Sequence, residues 1–179
     1  QVSVRLLKHL SGRNLVPLPN CLNVAFGSPS ISSRLKMMIV TLTSLSTKSA
    51  RDIIASVLEE AETLGLSIAA VVTDPQGHII ASVRMDGVSP TVLGFAEDKA
   101  YTSSNTKRST EAFSERMASS ESLKMGLSTR PRLLVWGGGL PIFFDGKLVG
   151  GLGISGAKDH EDIAIGKSVL AHYGFKWET

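Results

Sequence analysis

The chain has 179 residues, 42% hydrophobic and 20% charged, enough to bury one core and unlike a disordered polar chain. No run of about 18 apolar residues occurs, so no membrane-spanning helix is predicted and no membrane partner is expected. Cys21 is the single cysteine, which excludes an intrachain disulfide framework and a thiolate metal cage and suits a reducing compartment.

The formal net charge of +3 is unevenly placed. Residues 1–36 hold Arg5, Lys8, Arg13, Arg34 and Lys36 and no acid, which leaves fourteen basic against sixteen acidic residues in 37–179. The body therefore lacks the basic surplus that a nucleic-acid partner requires. The 1–36 stretch reads as a leader or extension, either an upstream segment ahead of Met37 or an organellar transit peptide. Residues 37–179 read as one domain. A cytoplasmic location is expected, or an organellar one if the leader is a transit peptide.

In chain order, Ser46 and Thr47 open a predicted helix over 47–64, with Ala50, Ile53, Ile54, Val57 and Ala61 at helical spacing and Gly65 as its stop. Residues 66–73 read as a buried strand. Asp74-Pro75-Gln76-Gly77 reads as a tight turn, and 78–84 as the returning strand of a hairpin. After Ser89-Pro90, Thr91 caps a predicted helix with Val92, Phe95, Ala96, Lys99, Ala100 and Ser103 along one side. A short helix follows over 109–117. Residues 133–136 read as a strand before Gly137-Gly138-Gly139-Leu140-Pro141. Asp145-Gly146 then turns a hairpin of 142–144 with 147–154. A last helix spans 159–173. The order α-ββ-αα-βββ-α predicts an α+β fold, an antiparallel sheet covered by helices.

The chemistry is sparse. The histidines stand singly in different elements, so no metal site is predicted. Ser155 lacks the surroundings of a nucleophile elbow. Arg84 at a strand end offers a planar donor fork to a carboxylate, with Asp86 placed either to orient it or simply to pair with it. Lys99 on an apolar helical stripe either snorkels to solvent or reaches a pocket. Gly137, Gly138 and Gly139, with Pro141, allow backbone N–H groups to approach a ligand without obstruction by a Cβ. For Gly150, Gly151 and Gly153, close packing of sheets or subunits is the favoured reading. Neither set opens a helix in the manner of a phosphate or dinucleotide loop.

The segments Ala70-Val71-Val72-Thr73-Asp74-x-x-Gly77-His78, Arg84-Met85-Asp86, Asp98-Lys99-Ala100, Gly137-Gly138-Gly139-Leu140-Pro141 and Gly150-x-x-Gly153-Ile154-Ser155-Gly156, with Glu161-Asp162 beyond them, resemble the GlcG/HbpS haem-degrading-domain family. That family includes the C-terminal domain of PduO-type proteins. The resemblance spans roughly residues 42–173. It implies a profilin-like fold, homo-oligomers from dimer to octamer, and haem or a related tetrapyrrole as ligand. Haem-binding members can supply a histidine from the first helix, and none occurs in 47–64 here. Axial ligation would then fall to His78, Met85, Lys99, or a hydroxyl of Thr106, Ser109 or Thr110. The Arg84/Asp86 loop and the helix carrying Lys99, Tyr101 and Thr102 would line a pocket.

Two functions follow. One is a small-molecule binding protein, with Arg84 or Lys99 on the ligand's acids and residues 137–141 along the cavity. The other is an enzyme acting on a small carboxylate or carbonyl metabolite, with Arg84 as anchor and Lys99 or Asp86 as acid/base.

Overall fold

Serine caps set where four of the five helices among the described residues begin. The computed structural model describes residues 39–178, and the leader discussed above lies outside them. Ser46 accepts a hydrogen bond from the Ser49 N–H at 3.1 Å and starts helix α1, Thr47–Thr63. Its apolar face (Ala50, Ile53, Ile54, Val57 and Ala61) is buried. Gly65, at φ +67°, ends the helix: its N–H reaches Glu62 O while Leu66 N–H reaches Ala61 O. That closing bond occupies Leu66, so strand β1 runs only over Ala69–Thr73 and is shorter than its apolar pattern suggests.

Strand β2, Ile79–Arg84, pairs antiparallel with β1 through the expected turn. Asp74 organises that turn. Its Oδ1 accepts from the N–H groups of Gln76 (2.8 Å) and His78 (2.9 Å). Burial alone would raise the Asp74 carboxyl, but the bonds donated by the His78 and Gln76 backbones and the His78 ring bring it below the ordinary value. A carboxylate depressed in the folded state stabilises the fold above its unfolded pKa of 3.8, and that contribution is lost as pH falls through the folded value. Asp74→Ala should therefore cost about 1–2 kcal/mol near neutrality. The deficit should shrink on acidification below pH 4, as urea unfolding at several pH values would show.

Helix α2, Pro90–Thr106, is capped by Ser89, whose side chain accepts from Thr91 N–H, rather than by Thr91 itself. Pro90 at the first position has no N–H to satisfy there, and the cap falls two residues earlier than the sequence reading placed it. Helix α3, Thr110–Ala118, is capped by Ser109, and a further helix, α4, Glu121–Ser128, is capped by Ser120. The sequence reading did not foresee α4. It also assigned a strand to residues 133–136, and none forms. That segment is fastened to α2 instead, because Thr102 Oγ1 donates to Arg132 O (3.0 Å) and accepts from Leu134 N–H (2.9 Å).

Strands β3, Gly139–Phe144, and β4, Lys147–Ser155, form the second hairpin. Asp145 (φ +48°) and Gly146 (φ +70°) make the two-residue turn with both residues left-handed. The last helix, α5, is Asp159–His172. The observed order is α-ββ-ααα-ββ-α, within the α+β class predicted. The four strands form one antiparallel sheet in the order β2-β1-β4-β3. Pro141 sits in the edge strand β3, where its missing N–H is tolerated. Beyond α5, Lys176 exchanges both backbone hydrogen bonds with Phe143 and covers part of that edge.

The two sheet faces differ sharply. Ala70 and Val72 of β1, Leu140 and Ile142 of β3, and Leu152 and Ile154 of β4 pack with α1 and α5 into the main core. On the opposite face the register sets Val71 beside Gly153 beside Gly139, and Thr73 beside Gly151 beside Pro141. This trough of small residues receives α2. A Cβ on Gly153 would collide with Ala96 O and lie 2.6 Å from Ala100 N; one on Gly151 would lie 2.6 Å from Ala100 O. Gly151 and Gly153 of β4 thus let a helix backbone rest on a strand backbone.

Candidate functional site

Lys99 points from α2 into the protein instead of into solvent. Its Nζ donates to Ile154 O at 2.8 Å and to Asp162 Oδ2 at 3.0 Å, and both charged side chains are only 1% exposed. The other Asp162 oxygen accepts from Ala157 N–H at 3.3 Å. The pair thereby joins α2, the end of β4 and the first turn of α5. Burial raises the Asp162 carboxyl above its ordinary value, while the Lys99 charge and hydrogen bond only partly oppose this.

The glycine block closes around the same pair. Gly138 has φ +110°, and a Cβ there would stand 2.5 Å from Ile154 O and 2.9 Å from Lys99 Nζ. Gly138 O accepts from Ile154 N–H, Gly139 N–H donates to Thr110 Oγ1 at 3.0 Å, and Gly137 N–H donates to Asp159 Oδ2 at 3.1 Å. The N–H groups of Gly137 and Gly139 are therefore engaged inside the protein. Gly138, Gly139 and Pro141 are buried. Gly137, also buried, borders an open cleft of about 350 Å³ between α3 and the start of α5, beside Trp136 and the acids Glu111, Glu115 and Asp159. Trp136 is 41% exposed and meets Phe95 edge to face at 5.4 Å.

The other candidates lie apart. Arg84 donates to Val88 O within its own loop, and Asp86 is exposed. Among the described residues no hydrogen bond or ion pair joins Arg84, Asp86 and Lys99. His78 is exposed, with its ring Nδ1 3.2 Å from Asp74 Oδ2. The Met85 sulfur accepts from Ile68 N–H at 3.3 Å. Thr102 fastens residues 132–134, Thr106 donates to Thr102 O at 2.7 Å, and Ser109 is the α3 cap. Tyr101 lies under the Arg132 guanidinium, which is itself paired with Glu97 and Asp98.

Sequence reasoning missed two features. Asp162 was seen only as part of a motif, because its lysine partner is 63 residues away in the chain. Arg108 and Arg116 were also passed over, although each flanks the apolar positions of α3. With Thr106 they line a cavity of about 520 Å³ whose apolar walls include Phe113, Leu123, Leu127 and Leu133.

A four-stranded antiparallel sheet with α2 on its glycine face, α1 and α5 on the other, and a buried lysine–aspartate pair between layers defines a three-layer α+β domain. The chain belongs to the family described as haem degrading protein HbpS-like, whose sequence profile matches residues 45–171. It is similar to protein GlcG of Escherichia coli (strain K12), at 32% identity over 111 residues, covering 62% of this chain and 81% of that protein. Among solved structures it is similar to HbpS (27% identity, TM-score 0.68, 75% of this chain and 93% of that one). It is also similar in fold to PduOC in its haem complex (23% identity, TM-score 0.70, 76% and 100%). Among the described residues no helix is long and apolar enough to cross a membrane, and no group of His, Cys, Asp and Glu side chains is arranged to hold a metal ion.

Proposed function

We propose that this chain is a small-molecule binding protein whose ligand is haem or a related tetrapyrrole. The observation that carries this reading is its fold likeness to the PduOC–haem complex over the full length of that chain, within a family described as haem degrading. The side chains here fit one part of such a ligand better than another. Met85, Lys99, Thr106 and Ser109 are each committed to an internal hydrogen bond, and His78 stands exposed beside Asp74. None is poised as a free iron ligand in a closed cavity. An open, partly apolar cleft lined by Arg108 and Arg116 suits the planar body and acid groups of a tetrapyrrole instead. Lys99, tied to Asp162 and Ile154, serves the fold more readily than it serves proton transfer. Homo-oligomeric assembly and a domain running over 37–179 belong to the same proposal.

Titration of the full chain with haemin, followed by Soret absorbance, should saturate at a fixed stoichiometry. Metal-free protoporphyrin IX should bind comparably, because the iron contributes little of the affinity. A haemin titration with no saturable change would overturn the reading.

A further inference from the structure

The clefts of this domain differ in charge. The one beside Trp136 is rimmed by Glu111, Glu115 and Asp159, and the one between α1 and α5 by Glu59 and Glu60, so both repel an acidic ligand. The cavity of about 520 Å³ between α3 and α4 is the reverse. Its lining contains no acid, and two guanidiniums stand on it: Arg108 just before α3 and Arg116 in the last turn of α3. Both arginines are exposed, and neither joins an ion pair among the described residues, whereas Arg132 nearby holds Glu97 and Asp98. Helix α3 sorts its charge accordingly, with Glu111 and Glu115 (i, i+4) toward the Trp136 cleft and Phe113 and Arg116 (i, i+3) toward this cavity.

Helix α4 gives the second argument. None of its residues is fully buried, and its Leu123 and Leu127, four apart on one face, line the cavity rather than the core. A helix whose apolar face covers an open space is incompletely packed without an occupant. The volume falls within the range of small-molecule sites, which combine apolar walls with a few polar groups that fix orientation.

We infer that this cavity is the ligand site, in which the apolar walls take the body of a dicarboxylate tetrapyrrole and Arg108 and Arg116 take its acid groups. Arginine suits that task because its planar fork meets a carboxylate with two parallel hydrogen bonds. The identity of the ligand rests on the tetrapyrrole reading above; the location rests on the cavity and its charge.

The test uses the full chain and the double variant Arg108→Glu/Arg116→Glu, with Leu127→Trp as a variant that fills the cavity. Both arginines are exposed, so circular dichroism and thermal unfolding should match the wild type. Haemin and protoporphyrin IX should bind the charge-reversed variant at least tenfold more weakly, and Leu127→Trp should weaken binding similarly. Wild-type haemin binding that both variants retain would overturn this site and leave the tetrapyrrole reading standing. If the wild type binds neither tetrapyrrole, the anionic fluorophore anilinonaphthalene sulfonate separates the two ideas. Saturable binding lost on charge reversal would support the cavity as a site for amphipathic acids, and binding insensitive to both variants would overturn it.

Discussion

Lys99→Met is expected to destabilise the fold by about 3–5 kcal/mol, the range found when one partner of a buried ion pair is removed. The substitution keeps most of the side-chain volume, so the loss reflects charge more than cavity formation. It leaves Asp162 buried with the Ala157 N–H as its remaining partner and leaves Ile154 O without its donor. The pH dependence has a definite sign. Asp162 already has a folded pKa above the ordinary value of 3.8, and removal of Lys99 deletes the strongest influence opposing that rise. An acid whose folded pKa is raised binds more protons folded than unfolded, so stability falls as pH rises from about 4 through the folded pKa. The deficit of Lys99→Met should therefore be smallest in acid and largest at neutrality. Adding Asp162→Leu should recover more than half of it, because no buried charge then remains. Denaturant unfolding of both variants at two pH values measures this. A deficit below about 1 kcal/mol, or no recovery in the double variant, would show that the pair is not a structural clasp.

Gly153→Ala should have an effect of similar size through sterics alone. The added methyl would meet Ala96 O and Ala100 N, which are helix backbone and cannot rotate away as a side chain can. Relief requires lifting α2 off β4, which also opens the Lys99–Asp162 contact. Overpacking usually costs about 1–3 kcal/mol, and a rigid backbone neighbour places this case at or above the upper end. Gly126→Ala is the control, since a Cβ there meets nothing within 4 Å and α4 favours alanine. Thermal unfolding should show a large drop for the first and no loss for the second. Equal behaviour of the two would refute the close-packing role of Gly153.

Much of the fold was legible locally. The α1 stripe, the Asp74 and Asp145-Gly146 turns and the α5 span are decided by nearest-neighbour periodicity and turn chemistry, which a linear sequence displays. Residues 133–136 misled because a short apolar run is compatible with a strand; what decides it is the Thr102 hydroxyl, some 30 residues distant. The serine caps of α3 and α4 follow the same rule, but α4 offered only a weak apolar pattern and was passed over. The candidate site was less legible than the fold. Whether a glycine admits a ligand or a helix depends on what lies opposite, and opposition is a tertiary fact.

The 137–153 glycines show this division. Their presence pointed to the architecture from sequence alone, because so many glycines in and before a hairpin need a close neighbour; the family resemblance rested on them together with the 70–78, 84–86 and 98–100 segments. Only the tertiary structure decided which neighbour: α2 over Gly151 and Gly153, and the Lys99 ammonium and Ile154 carbonyl against Gly138. Sequence likewise revealed a lysine on an apolar stripe, while its burial was settled by the tertiary fold, which sets Lys99 of α2 against Ile154 near the end of β4 and Asp162 in the first turn of α5. Local spacing is written in the chain. Pairing across 63 residues depends on how the sheet closes.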